Sequence, residues 1–216
     1  MKVGTDGVLL GAWATCAQCR HGLDIGTGTG LLTLMLAQKC PDLQLTAIEP
    51  NLKAFKEASA NIQRSSWAER ITCLNEPFQE HSTQLPYDLI ISNPPFYETS
   101  TSVDGDGRMQ ARQSIHLPAE HLLSGVNKWL AKDGKFLVIW PEETVHRFIL
   151  TAADHQLYVR KQLLIQPQKN KPINRRIIEF QRTRGTVKQD TLCLRDGKEM
   201  TADYRILTSA YYLEKA

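Results

Sequence analysis

A short apolar strand near the start of the chain runs into a glycine-rich turn and then into an apolar helix. The strand ends at Asp24-Ile25, the turn holds Gly26, Gly28 and Gly30, and a helix is predicted over Leu31 to Gln38. Glycine has no Cβ, so the backbone of such a turn approaches a ligand closely. The GxGxG spacing differs from the GxGxxG of nicotinamide enzymes, which disfavours a dehydrogenase.

The same alternation of strand and helix continues along the chain. Strands are predicted over Leu45 to Ile48, Arg70 to Leu74 and Tyr87 to Ile91, with a helix over Ala54 to Ile62. This order predicts a parallel sheet with right-handed connections and a ligand site at the carboxyl ends of its strands. We expect one domain over residues 1–216, because no interdomain linker is evident.

The second half of the sequence predicts further elements of the same kind. Helices are expected over Leu117 to Leu130, Val145 to Ala153 and Ala202 to Leu213, strands over Lys135 to Trp140, Gln156 to Gln166 and Ile173 to Thr183, and a turn or hairpin within Cys193 to Lys198. At the other end of the chain, Thr5 or Asp6 is predicted to cap a helix that contains Leu9, Leu10 and Trp13.

Four polar side chains stand where predicted strands end. They are Asp24, Glu49, Glu76 and Asn93. A carboxylate at Asp24 repels a pyrophosphate but suits a ligand ammonium. Glu49, about 20 residues past the glycine turn, is placed to accept the hydroxyls of a ribose. The pattern therefore predicts a ligand site at this edge of the sheet.

The segment after the fourth predicted strand reads Asn93-Pro94-Pro95-Phe96-Tyr97. The two prolines force an extended path and donate no N–H. The side-chain oxygen of Asn93 and the carbonyl of Pro94 are then free to accept both N–H groups of a planar amine. Phe96 or Tyr97 is placed to stack on a base. The plain alternative is a proline-rich turn.

Composition limits the other possibilities. The 216 residues carry a net charge of +3, no apolar run long enough to span a membrane, and five cysteines. An odd, scattered set of cysteines favours a reducing compartment, so we expect a cytoplasmic protein. Cys16 and Cys19 have CxxC spacing, but no second pair completes a zinc site, and two ordinary thiols are expected. No metal is predicted.

These motifs together identify a family by resemblance. The glycine turn, the acidic tip of the second strand and the Asn-Pro-Pro-Phe segment resemble the Rossmann-like amino methyltransferases that use S-adenosylmethionine. The opening Met1-Lys2-Val3-Gly4-Thr5-Asp6-Gly7, with Leu10-Gly11-Ala12-Trp13 and the Asn61 to Ile71 stretch, is similar to the tRNA1(Val) adenine-37 N6-methyltransferases. The resemblance covers nearly the whole chain.

The resemblance implies an α/β fold, a mostly parallel seven-stranded sheet with its last strand antiparallel and helices on both faces. It also implies a role for each site residue. The cofactor would contact Thr5, Asp6, Asp24, Gly26, Gly28, Gly30, Glu49, Glu76 and Asn93. Asn93 and Pro94 would hold the N6 amine of an unpaired adenine, and Phe96 would stack on the base. The family pattern places an Asp where this sequence has Pro77, so Glu76 is shifted by one position.

The partner that the resemblance implies is tRNA, bound by a monomeric enzyme that uses neither membrane nor metal. Its contacts are expected from Pro95, Tyr97, Arg108, Arg112, Lys171, Arg175 and Arg176. A solvated charged loop is the plain alternative for the basic turn from Lys169 to Arg176. Two other functions stay open: a protein glutamine N5-methyltransferase, since an amide offers the same NH2 geometry, and an RNA-binding module without catalysis.

Overall fold

The computed structural model describes residues 4–95 and 119–212. Helices and strands alternate in it as the sequence predicts. The helices are α1 (Thr5–Trp13), α2 (Leu31–Lys39), α3 (Leu52–Gln63), α4 (Ala119–Trp129), α5 (Glu142–Asp154) and α6 (Ala202–Thr208). The strands are β1 (His21–Ile25), β2 (Gln44–Ile48), β3 (Ile71–Leu74), β4 (Tyr87–Ser92), β5 (Leu130–Pro141), β6 (Tyr158–Gln166), β7 (Arg175–Gln181), β8 (Lys188–Cys193), β9 (Arg195–Asp196) and β10 (Glu199–Met200).

The main sheet has the strand order β3-β2-β1-β4-β5-β7-β6-β8. Strands β1 to β5 are parallel, and β7 runs antiparallel to both β5 and β6. The Rossmann-like fold class is confirmed, but the predicted count of seven strands is wrong. The additional strand is β8, which pairs parallel to β6 at the edge of the sheet. The sequence did not predict β8 as a strand because its first four residues are polar and exposed.

Both faces of the sheet are covered, which explains why the central strands are mostly apolar. Along β5, Phe136 and Val138 point into the cluster that contains α4 and α5. Their neighbours Leu137 and Ile139 point into the cluster that contains α1 and α2. Side chains of a strand alternate between faces, so one short strand supplies both cores.

Helix α1 is held to α2 at the end remote from the glycine turn. The ammonium of Lys39 donates to the carbonyls of Ala12 and Ala14, each at 2.6 Å. These contacts bring Cys16 to Cys40, whose Cα atoms lie 6.1 Å apart and which form a disulfide, a separation usual for such bonds. The expectation of a free thiol at Cys16 is therefore wrong, while Cys19 is a buried free thiol. Local sequence patterns did not predict this disulfide because Cys16 and Cys40 are 24 residues apart.

The helices of the described residues include none that is both long and apolar enough to cross a bilayer. The single domain over residues 1–216 stays a prediction.

One tight contact makes the packing of α4 testable. The ring of Phe78 fills the space beside Gly125, where an added Cβ would come within 2.7 Å of the Phe78 Cζ atom. Phe78 is 5% exposed, so the atoms packed around its ring prevent it from shifting away from the added Cβ. We expect Gly125→Ala to lower the free energy of unfolding by about 1–2 kcal/mol, because overpacking outweighs the better helix propensity of alanine. Chemical denaturation measures this change.

Ser124→Ala is the matched control, since Ser124 is an exposed residue of the same helix. It should leave stability within about 0.5 kcal/mol of wild type. Combining Gly125→Ala with Phe78→Leu should recover part of the loss. An unchanged or raised stability in Gly125→Ala would show that the ring does not press against the helix.

Candidate active site at the carboxyl edge of the sheet

The glycine-rich turn closes tightly over the end of β2. Gly26, Gly28 and Gly30 have φ of 72°, 62° and 85°, values that favour glycine. The amides of Gly26 and Thr27 both donate to the carbonyl of Ile48, at 2.9 and 3.0 Å. A Cβ on Gly26 would meet no atom within 4 Å among the described residues. The turn thus presents bare backbone to open space at the carboxyl edge.

Glu49 ties this turn to the neighbouring helix. Its carboxylate accepts the amide of Gly28 at 2.9 Å through Oε2, and the amide of Asn51 at 2.9 Å through Oε1. Asn51 in turn caps α3 by accepting two helix amides. Glu49 is 8% exposed, and both of its bonds are charge-assisted. Each oxygen keeps a further lone pair, so the carboxylate can still accept a ribose hydroxyl.

Asp24 lies beneath the glycine turn and is fully buried. Its Oδ2 accepts the hydroxyls of Thr27 and Thr33 at 2.6 and 2.7 Å. Its Oδ1 has no hydrogen-bond partner in the described part of the chain. Burial raises the pKa of Asp24 to about 6, against the hydrogen bonds from the two threonines, which lower it. A buried carboxylate oxygen without a donor is a fitting partner for a cationic ligand group.

The Asn-Pro-Pro segment follows β4 on the same edge, next to β1. The hydroxyl of Ser92 donates to the carbonyl of Ile25 at 2.9 Å and fixes the strand end. Asn93 is half-buried, Pro94 is buried and Pro95 is exposed. The Asn93 amide nitrogen lies 3.6 Å from the position that a Cβ of Gly7 would take. Helix α1 therefore packs against the nitrogen end of that amide. Phe96 and Tyr97 lie outside the described residues.

The start of α1 is held by an ion pair and not by a side-chain cap. The cap residue is Gly4, so the predicted capping by Thr5 or Asp6 is wrong. The carboxylate of Asp6 instead accepts from Nε of Arg175 at 3.2 Å. Arg175 begins β7, so the pair joins α1 to the centre of the sheet. Thr5 is exposed at the same end of the helix.

Glu76 follows β3 and belongs to a buried polar chain. Its Oε1 lies 2.7 Å from Nδ1 of His81, and Nε2 of His81 lies 2.9 Å from the hydroxyl of Tyr87. The Glu76 side chain is 31% exposed, whereas that of His81 is 3% exposed. The neighbouring Asn75 donates to the carbonyl of Glu49 at 2.8 Å. The tip of β3 is thus fixed against the tip of β2.

The basic residues predicted to bind substrate separate into three groups. Arg176 contacts the carboxylate of Glu142 and, at 3.0 Å, the side-chain oxygen of Gln162. Arg175 contacts Asp6, whereas Lys171 is exposed. Arg108 and Arg112 lie outside the described residues. Both described arginines therefore already have carboxylate partners within the fold.

The structure adds residues that sequence reasoning missed. Thr27 and Thr33 hold Asp24, Asn75 joins two strand tips, and Gly7 leaves room for Asn93. Thr27 lies within the glycine motif, which was a signal available in the sequence. The other three act through distant contacts that no local pattern shows. No group of three or more His, Cys, Asp or Glu in residues 4–95 and 119–212 is arranged to hold a metal ion.

The site fits S-adenosylmethionine, which has an amino-acid end that bears an ammonium group, a ribose and an adenine. The buried Oδ1 of Asp24 is an acceptor without a donor among the described residues, and the backbone at Gly26, two residues on, is open. Glu49 stands at the next strand tip with acceptor capacity left. Glycine turn, Asp24 and Glu49 thus offer complementary groups to the charged end and the ribose of this cofactor.

Comparison with known proteins agrees with this geometry. A family model described as the methyltransferase small domain matches residues 6–163. A tRNA1(Val) (adenine(37)-N6)-methyltransferase of Bacteroides thetaiotaomicron is 38% identical over 215 residues, which cover 99% of this chain and 91% of that protein. The chain belongs to this methyltransferase family. A relative of the same name from Pectobacterium carotovorum is 37% identical over 99% of this chain and 88% of its own length.

A solved structure of low sequence identity has the same fold. A predicted O-methyltransferase from Agrobacterium tumefaciens superposes with a TM-score of 0.73 at 16% identity, covering 95% of this chain and 96% of that one. The family and the methyltransferase fold that the sequence predicted are confirmed. The individual site residues and the monomeric state stay predictions.

The raised pKa of Asp24 predicts how this methyltransferase binds its cofactor at different pH. A cationic ligand group favours the ionised carboxyl, so the affinity should rise with pH until Asp24 is ionised in the free protein. With a pKa of about 6, binding at pH 5 should be about tenfold weaker than at pH 7, since one pH unit below the pKa leaves roughly a tenth of the group ionised. Calorimetry with S-adenosylhomocysteine, which keeps the ammonium, measures this dependence.

Asp24→Asn is the control, because it keeps the shape of the side chain and removes the titration. This variant should bind more weakly and with little change between pH 5 and pH 7. A wild-type affinity that is constant over this range would contradict the role of Asp24.

Proposed function

We propose that this protein transfers a methyl group from S-adenosylmethionine to the N6 amine of an unpaired adenine in tRNA, A37 of tRNA1(Val). The observation that carries the proposal is the position of Asn93 and Pro94. Two acceptor oxygens follow β4, the strand beside β1, whose own end leads into the glycine turn. The names of the relatives support adenine in tRNA as the target over a protein glutamine. Such an enzyme works in the cytoplasm.

The cofactor is held by groups from the ends of several strands. The backbone of Gly26, Gly28 and Gly30 forms the cradle, Asp24 attracts the ammonium, and Glu49 accepts the ribose hydroxyls. Glu76 at the tip of β3 lies on the side of the adenine. Asp6 and Thr5 at the start of α1 stand at the methionine end. When bound, the cofactor supplies a methyl group activated by a positively charged sulfur.

The protein contributes position and hydrogen bonds. The oxygen of the Asn93 side chain and the carbonyl of Pro94 accept the two N–H groups of the adenine amine, which localises and aims its lone pair. Pro95 keeps the chain extended after them. Holding both reactants in line supplies most of the rate gain in a displacement of this kind. The amine nitrogen loses one proton to solvent when it becomes methylated.

The base must leave its stack to reach this loop. An unpaired nucleotide of an anticodon loop is displaced at lower cost than a paired one. We assign the stacking contact to Phe96, with Tyr97 beside it and Arg108 and Arg112 on the phosphates. All four residues lie between Pro95 and α4 in the sequence, and Phe96 and Tyr97 follow Pro95 directly.

Asn93→Ala tests the catalytic role. Loss of one preorganised acceptor should lower the single-turnover rate of tRNA methylation by about a hundredfold or more. The affinity for S-adenosylhomocysteine should stay near wild type, because the glycine turn, Asp24 and Glu49 are intact. Asn93→Asp is the matched variant and should retain part of the rate, since a carboxylate oxygen still accepts from the amine. A wild-type rate in Asn93→Ala would refute the assignment.

Glu49→Ala tests cofactor binding. Its loss removes the acceptor of the ribose hydroxyls and also of the Gly28 and Asn51 amides. We expect cofactor binding to weaken by about 1.5–3 kcal/mol, the usual contribution of hydrogen bonds to a charged group. Calorimetry measures the affinity. Glu69→Ala, which removes an exposed carboxylate before β3, is the control and should leave it unchanged. Equal affinities in the two variants would exclude Glu49 from the site.

A further inference from the structure

A basic surface at the carboxyl edge includes the predicted basic turn and extends beyond it. We call it the hairpin surface; it consists of the turn between β6 and β7, the β9–β10 hairpin and the start of α6. Its cationic residues are Lys169, Lys171, Arg195, Lys198 and Arg205. All five are exposed. Sequence analysis predicted a substrate-binding role for the turn but assigned no such role to the hairpin or to α6.

Backbone hydrogen bonds fix the parts of the hairpin surface to one another. The amide of Leu194 donates to the carbonyl of Gln166 at 2.8 Å, and the amide of Lys169 donates to the carbonyl of Arg195 at 2.9 Å. The hydroxyl of Thr201 donates to the carbonyl of Cys193 at 2.6 Å. The turn, the hairpin and α6 are therefore one preorganised unit.

The two-residue hairpin loop places a lysine at its tip. Asp196 pairs with Glu199, so Gly197 and Lys198 form the loop. Gly197 has φ of 61°, as the first central position of such a tight turn requires. Lys198 follows at the second position and extends from the protein. A tight turn fixes the backbone, so little order is lost when this lysine meets a ligand.

The hairpin surface shares its edge of the sheet with Asn93. Arg175 at the start of β7 pairs with Pro141, which ends β5, and contacts Asp6. Asp6 adjoins Gly7, which packs against Asn93. Between β4 and β8 lie four interstrand steps, roughly 19 Å at the usual spacing. The surface and the catalytic loop thus face the same side at a distance suited to one folded RNA.

Except at Lys169, the charges of this surface have no carboxylate partner in the described part of the chain, whereas the half-buried Arg175 and Arg176 each contact a carboxylate. Arg195 and Arg205 donate to the carbonyls of Lys198 and Met200, at 3.2 and 2.7 Å, which orients them without neutralising them. Lys171 and Lys198 have no ion pair with any carboxylate in the described ranges. Lys169 is held by Asp196 at 2.9 Å.

We propose that the hairpin surface binds phosphates of the tRNA stem and positions the anticodon loop over Asn93. This inference rests on the proposed function and extends it from the target base to the body of the substrate. Exposed lysines and arginines contact phosphates without reading sequence. Arg175 and Arg176, with their carboxylate partners, stabilise the sheet edge beneath this surface. An exposed unit with five cationic side chains suits a phosphate backbone better than an apolar protein partner.

The experiment measures tRNA binding over a range of salt concentrations. The variant Lys171→Glu/Lys198→Glu should bind a tRNA1(Val) transcript more weakly, and the slope of log affinity against log salt should flatten by roughly 1 for each lysine. Lys188→Glu is the matched control. It makes the same charge change as either single substitution, Lys171→Glu or Lys198→Glu, on an exposed lysine that begins β8 at the opposite end of the strands. Its slope should equal that of wild type.

A variant that should bind tRNA more tightly distinguishes this proposal from a loss of binding caused by damage to the fold. Asp196→Asn removes the carboxylate that holds Lys169 and keeps a turn-forming residue before Gly197. Its tRNA binding should be tighter than that of wild type, with a steeper salt slope. The lysine double variant should keep the wild-type affinity for S-adenosylhomocysteine, since neither lysine is among the residues proposed to hold the cofactor.

The outcomes distinguish the two proposals. Absence of tRNA methylation by the wild-type enzyme would refute the proposed function. Normal methylation together with an unchanged salt slope in the double variant would refute only the role of the hairpin surface. An equal loss of binding in Lys188→Glu would also refute it, because the effect would then follow net charge and not position.

Discussion

The carboxylate of Glu49 is the contact on which the geometry of the site depends. It accepts one amide from the glycine turn and one from the start of α3, so it fixes the turn to the tip of β2. Its own backbone is fixed by Asn75 from the tip of β3. The bond to Gly28 is buried and the other two are partly buried, and a hydrogen bond to a charged group is strong where water is excluded. The proposed cofactor site is therefore ordered before any ligand arrives.

The parallel sheet brings the remaining groups to the same edge. Asp24 lies near the end of β1, and Glu49 and Asn93 follow the two strands beside it, β2 and β4. Helix α1 covers this edge and is fixed at both ends, by Asp6 to Arg175 and by the bonds of Lys39 and Cys40. Because α1 packs against the Asn93 amide through Gly7, its anchors also hold the loop to which we assign the catalytic role. The site depends on where the fold places these groups more than on the chemistry of any one side chain.

The sequence predicted those features that local patterns encode. Apolar runs indicated the central strands, and glycine spacing and strand tips indicated Asp24, Glu49 and Asn93. The misses have a common physical origin in distant contacts. The partners of Arg175, Arg176, Glu76 and Cys16 come from other elements of the fold. Strand β8 escaped because edge strands bury few side chains, and α1 begins with an ion pair where a cap was expected.

The central claim is that the Asn93 loop presents an exocyclic amine to the methyl donor. The most direct test is nucleoside mass spectrometry of a tRNA1(Val) transcript after incubation with the enzyme and S-adenosylmethionine bearing a labelled methyl group. We predict that the label appears as N6-methyladenosine at position 37 and is absent from a transcript in which that adenine is replaced by guanine. Label on a ring carbon, a ring nitrogen or a ribose oxygen would contradict the account.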